Sequence, residues 1–214
     1  MNKKIFLAAV FLLLGFFILA YTFYPLISWY FIYLPKIESQ NIISPLTQAP
    51  QSQPKGWMKE NIRGNQFLLK EKGEKFYLSI PRLKIKDAEV KIESRDFLSS
   101  LAQHPGSALP GERGNIFISG HSVLPQFYNP KNYLTIFSTL YELEQGDLLY
   151  LSYLGQEYIY KVETLKVVGP EASWVIFPPD PFGKYLTLFT CTPPGLKSSR
   201  LVVLAKIQGE EEEI

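Results

Sequence analysis

No charged side chain occurs between Lys4 and Lys36. A run of about 20 apolar residues at 1.5 Å per residue crosses the ~30 Å hydrocarbon core of a bilayer. Ile5 to Tyr24 supplies such a run, and Pro25 follows it. A chain that opens this way is committed to a membrane helix or to a cleaved leader before anything else about its fold is decided. A leader should end in a small-x-small cleavage site after a shorter apolar core, and neither condition is met here. The retained helix is therefore the expected form, and no second apolar stretch of membrane length follows.

The flanks orient the helix. Lys3 and Lys4 precede it on a very short tail, so the positive-inside rule places the N-terminus in the cytoplasm and the residues beyond about 35 outside. Tyr21, Phe23, Tyr24, Trp29, Tyr30, Phe31 and Tyr33 crowd the far end and read as an aromatic collar at the headgroups. The formal net charge of +2 is accounted for by Lys3 and Lys4. The remainder is neutral and has no basic run, which argues against nucleic acid as a partner.

Composition divides the rest. Residues 35–75 read as an extracellular spacer. Ser, Gln and Pro dominate residues 38–55, a composition that cannot bury enough apolar area to offset ordering. As flexible coil, some 40 residues would reach roughly 35 Å from the bilayer. Residues 76–208 are enough for one domain with its own core. Residues 209–214 form an acidic tail, expected to be solvated and without function.

Within that domain the apolar runs are short. Phe76–Ile80, Ala88–Ile92, Asn115–Ser119, Leu148–Tyr153, Glu157–Lys166, Leu186–Thr190 and Leu201–Ile207 read as strands. Leu148–Tyr153 and Glu157–Lys166 form a hairpin around Leu154-Gly155-Gln156. The spacing of Phe97, Leu98, Leu101 and Ala102 predicts a helix over Arg95–Gln103, with Ser94 as its N-cap. Leu134–Leu143 reads as a short helix or a turn. Many short strands with no βαβ rhythm predict an all-β barrel or sandwich. A closed barrel with short helical pieces is favoured, because closure removes sheet edges.

Cys191 is the only cysteine. A lone thiol in an exported chain is either a small buried hydrophobe or a group kept for chemistry. Alternation along Leu186–Cys191 puts the thiol on the face opposite Leu186 and Leu188, so it points outward if those leucines face the core. Only Thr192 to Ser199 separate Cys191 from Arg200. An antiparallel hairpin would bring Arg200 to the ~5 Å of a cross-strand neighbour.

At a pKa of about 8.5 a thiol is only about 3% ionised at pH 7, so catalysis needs a nearby cation or a base. Arg200 offers a permanent charge and a fork of donors. A histidine would be needed to return a proton to a leaving amine. His104, in a turn, and His121, at the end of a short strand, are both candidates on patterning alone. A lone histidine is often merely structural.

These residues resemble a known family, the sortases. Thr187-Leu188-Phe189-Thr190-Cys191, then Gly195, then Arg200-Leu201-Val202-Val203, matches its T-L-x-T-C strand and the arginine that opens the last strand. Pro105–His121, Ile80-Pro81-Arg82-Leu83 and Leu143–Asp147 resemble further family segments in the same order. The resemblance covers about residues 76–207. It implies a sortase-like closed β-barrel with no organic cofactor, and a cysteine transpeptidase at the outer face of a bacterial cell membrane.

It also implies roles. Cys191 would attack the threonine carbonyl of an LPxTG-like C-terminal sorting signal on a surface protein. His121 would act as general acid and base, and Arg200 would stabilise the oxyanion. The acyl group would pass to an amine of the cell envelope. His104 matches a non-catalytic histidine of the family, which selects His121. Some members bind calcium, and no acidic cluster stands out here to assign to it. The acidic C-terminus, and the lack of an aspartate-proline-aromatic lid motif in residues 56–75, point to a subclass other than the pilin-building one. Asp180-Pro181-Phe182 has that composition and reads as a loop.

Two other readings compete. L,D-transpeptidases also pair cysteine with histidine, but their signature has serine and glycine just before the cysteine and an arginine two residues after it. Phe189-Thr190-Cys191-Thr192-Pro193 does not fit. The non-enzyme alternative is a membrane-tethered β-barrel for binding or adhesion, with an inert thiol.

Overall fold

The computed structural model describes residues 3–40 and 73–209. The expectations for residues 41–72 and for the acidic tail from 210 lie outside the described residues.

The chain opens with helix α1 (Lys3–Ser28), passes through a π-helical turn (Trp29–Tyr33) and continues as α2 (Leu34–Gln40). The side chains of α1 up to about Tyr24 are largely exposed and apolar, as in a span that faces lipid. Among the described residues this is the one helix long and apolar enough to cross a membrane. Residues 35–40, read from composition as the start of a spacer, are instead helical. Trp29 and Ile37, each 3% exposed, are packed into the core of the following domain.

That domain is a closed eight-stranded barrel. Its strands are β1 (Lys75–Ile80), β2 (Ile85–Lys91), β3 (Leu101–Gln103), β4 (Gly114–Ser119), β5 (Leu148–Tyr153), β6 (Gln156–Val168), β7 (Lys184–Thr192) and β8 (Ser199–Ile207). They close in the order β1-β2-β3-β4-β7-β8-β6-β5. The β2–β3 and β4–β7 pairs are parallel and the others antiparallel. Hence β1, β4, β6 and β7 run one way and the other four run back.

Alternation fixes the inside. Leu78, Ile116, Ile118, Leu186, Leu188 and Val203 are fully buried in one core. A smaller cluster forms outside the barrel wall, where Phe117 and Val202 are covered by Val175 and its neighbours Ala172 and Ile176. The β5–β6 hairpin turns through Leu154 (φ 50°) and Gly155 (φ 77°), the two positive dihedrals of the tight turn that matches strand twist.

The helix expected over Arg95–Gln103 does not form. The Asp96 N–H donates to Ser94 Oγ at 3.0 Å, and the Leu98 N–H donates to Asp96 Oδ1 at 2.9 Å. Such local side-chain bonds offer the backbone an alternative to the helical ladder. Leu101–Gln103 becomes β3, with Val90 opposite Leu101 and Ala102 opposite Ser119, bridging a gap that would otherwise leave two sheet edges. Leu134–Leu143, ambiguous by pattern, is a chain of turns ending in a 3-10 turn at Leu140–Glu142. It buries Ile136, Phe137 and Leu140 in the core.

Candidate active site

The last hairpin places Cys191 directly opposite Arg200 in the β7–β8 register, with Thr192 opposite Ser199. Leu186 and Leu188 are fully buried, and Cys191, on the other face, is half-buried with a free thiol. Arg200 is also half-buried. Its Nη1 donates to the carbonyls of Lys197 and Ser199, both at 3.0 Å, so the guanidinium is turned onto its own hairpin loop.

The histidine arrives on the other side of β7. Ser119 lies beside Phe189 in the parallel β4–β7 pair. The ladder continues one step past β4, where the Gly120 N–H donates to the Phe189 carbonyl at 3.1 Å. Thr190 Oγ1 donates to the Gly120 carbonyl at 2.8 Å. Beyond the histidine, Ser122 Oγ donates to the Cys191 carbonyl at 2.7 Å. His121 is thus bracketed by residues bonded to Thr190 and Cys191, and its exposed ring stands edge-on to Phe97 at 5.7 Å between centroids. Three adjacent strands, β4, β7 and β8, bring His121, Cys191 and Arg200 to one end of the barrel.

His104 is elsewhere. Its N–H bonds the Phe117 carbonyl, and its ring packs against Phe117 at 5.9 Å, several residues back along β4 from His121. Burial, with the charge of Arg95 adding to it, holds the His104 pKa below the usual imidazole value.

Gly120, Ser122 and Thr190 were not singled out from the sequence for positioning. Thr190 did leave a signal, since it falls in the inward-facing register of Leu186 and Leu188. A buried threonine there needs a partner for its hydroxyl. Ser122 and Phe97 lie in irregular segments and leave none.

Behind the site, the loop leading into β7 is tied down by polar contacts. Asn115 Nδ2 donates to the carbonyls of Val175 (3.2 Å) and Ile176 (3.0 Å), while its Oδ1 accepts from Thr187 Oγ1 at 2.9 Å. Asp180, in the segment read as a loop, accepts from the N–H groups of Phe182 and Gly183 and from the Tyr185 hydroxyl. Burial alone would raise its pKa. The Tyr185 hydroxyl, these amides and the charge of Lys206 outweigh burial and hold it below the usual carboxylate value. Among the described residues no three His, Cys, Asp or Glu side chains converge as a metal site.

A closed eight-stranded barrel with this strand order defines a class of fold, and that class has a family. The family model for the Sortase domain matches residues 78–208, and the chain belongs to that family. Sortase A from Corynebacterium diphtheriae is similar at 29% identity and a TM-score of 0.55, over 67% of this chain and 65% of that one. The chain thus spans about two thirds of that protein's length. Streptococcus agalactiae sortase C1, in a complex with MTSET, is similar at 25% identity and a TM-score of 0.55, over 65% of this chain and 72% of that one. A Clostridium perfringens sortase D5 transpeptidase shares the fold at 20% identity and a TM-score of 0.53, over 83% of this chain and 96% of that one. These three sortases carry different class letters at similar TM-scores, so the likeness does not separate subclasses. No curated protein matches the chain.

Proposed function

We propose that the protein is a membrane-anchored cysteine transpeptidase that cleaves an LPxTG-like sorting signal and transfers the substrate protein to an amine of the cell envelope. The Cys191 thiol passes its proton to His121, and the sulfur attacks the carbonyl carbon of the signal's threonine. As the C–N bond breaks, His121 gives its proton to the leaving amine, and a thioester remains on Cys191. The incoming amine then attacks the thioester, His121 takes its proton, and the thiolate departs. Arg200 exchanges its bonds to the loop carbonyls for the oxyanion that forms in each step. Side chains alone supply this chemistry, so no organic cofactor is needed.

The observation that carries the reading is the register pair Cys191–Arg200, with the residues on both sides of His121 hydrogen-bonded to the same segment of β7. The family's chemistry supplies the substrate class. The N-terminal helix supplies the anchor, with Lys3 and Lys4 inside and the barrel outside. Incubating the protein with sorting-signal peptides and an amine, followed by mass spectrometry, tests it. Cys191→Ala should abolish transfer while the barrel stays folded. Loss of the Arg200 side chain should cost about 3–4 kcal/mol in the transition state, a fall of 10²–10³-fold. Transfer that survives Cys191→Ala would overturn the proposal.

A further inference from the structure

The end of the membrane helix does not lead into free chain. Trp29, Tyr33 and Ile37 recur every four residues and share one face of the helix. Trp29 and Ile37 are buried in the barrel core, and the Tyr33 ring meets that of Tyr141 at 4.4 Å between centroids. Beside them Lys36 bonds Glu144. Arg82 bridges Glu144 (3.0 Å) and Asp147 (3.4 Å), and its Nε also donates to the Glu142 carbonyl. Exposed residues of the same stretch, such as Ile27, Tyr30 and Phe31, lie off this face.

Topology says which end of the barrel is held. β1 ends at Ile80, just before Arg82, and β5 begins at Leu148, just after Glu144 and Asp147. Since β1 runs parallel to β4 and β7, and β5 parallel to β8, this is the end at which His121, Cys191 and Arg200 lie. Eight strands about 4.8 Å apart, tilted by roughly 40°, close to a diameter of about 16 Å. The helix adds about 14 Å between Ile27 and Lys36 at 1.5 Å per residue.

We propose that the last turns of the membrane helix are a rigid clasp that holds the catalytic end of the barrel at the bilayer surface, with Cys191 within about 40 Å of the end of the apolar segment. A barrel on a flexible spacer would sweep a larger volume, and its catalytic end would have no fixed distance to the lipid. This inference rests on the reading of the helix as a membrane span.

Because Cys191 is the only native thiol, one substitution gives a labelled pair. Ile27→Cys, at an exposed position, and Cys191 are spin-labelled in the full chain reconstituted in phospholipid nanodiscs, and their separation is measured by pulsed dipolar spectroscopy. A single narrow distribution below about 40 Å is expected. Ile37→Asp, which drives a charge into the docking face, should broaden it or move it outward, with circular dichroism checking that the strands persist. A broad distribution in the otherwise unaltered chain overturns the clasp. Fractionation keeps the premise separate. Protein that stays soluble without detergent overturns the membrane placement, even if the distance remains short.

Discussion

Gly120 is where one added carbon should test both the barrel and the site. It follows the last residue of β4 and precedes His121. A Cβ built on it would lie 2.6 Å from Leu101 Cδ2 and 2.6 Å from Phe137 Cδ2. Carbon atoms rest at about 3.5–4.0 Å, so the shortfall is about 1 Å on two sides. Neither neighbour can retreat to solvent, since Leu101 is 0% and Phe137 1% exposed. If the core yields, overpacking should cost about 1–3 kcal/mol. That corresponds to roughly 3–15 °C in Tm for a domain of this size. If the strand end yields instead, Gly120 moves off its bonds to Phe189 and Thr190 and carries His121 with it. In the role proposed for His121, a displacement of about 1 Å can cost ~10²-fold in rate. Thermal unfolding and transfer kinetics on Gly120→Ala separate the two routes. A Tm within about 1 °C of the parent, together with activity within about two-fold, would refute the packing argument outright.

Three further outcomes are expected. Ser122→Ala removes the donor to the Cys191 carbonyl and should lower stability by about 0.5–1.5 kcal/mol, with kcat falling more than KM rises. Ser122→Thr, which keeps the hydroxyl, should restore most of the loss, and an equal effect of both variants would show that the hydrogen bond does not matter. Asn115→Ala strands the Thr187 hydroxyl and the carbonyls of Val175 and Ile176, so it should cost ~1–3 kcal/mol and speed amide exchange across residues 173–177. Unchanged exchange there would contradict the account. Asp180 has a folded pKa held below its unfolded value. Its contribution to stability is present above pH ~3.9 and lost as the pH falls through the lower folded value. Urea midpoints measured from pH 6 down to pH 2 should therefore fall more steeply for the parent than for Asp180→Asn, and parallel curves would refute it.

The strands of the last hairpin could be read from their residues, because the gap between Cys191 and Arg200 is short and both runs are apolar and β-rich. A local hairpin leaves few registers to choose from. The partner on the other side of β7 could not be read this way. β4 pairs with β7 across about 70 residues, and periodicity carries no information about which distant strand lies alongside. Patterning alone therefore does not distinguish His104 from His121. β3 is hidden in the sequence for a different reason. A three-residue strand has almost no pattern of its own, and its pairing is dictated by the vacancy between β2 and β4.

The N-terminal segment shows the limit of residue type as a guide. Tyr, Trp and Phe satisfy both a headgroup layer and a protein core, since each has a large apolar body, so composition alone reads all seven aromatics as a collar. Their faces divide them. Trp29 and Tyr33 are four residues apart, as are Tyr33 and Ile37, and this spacing puts them on one side of the helix. The π-helical turn at Trp29–Tyr33 lies within that stretch, at the point where the exposed span becomes a docked helix. A collar that only met lipid would have no reason to prefer one face. The apolar spacing that runs on to Ile37, past Lys36, was therefore the readable sign that protein, not lipid, covers that side.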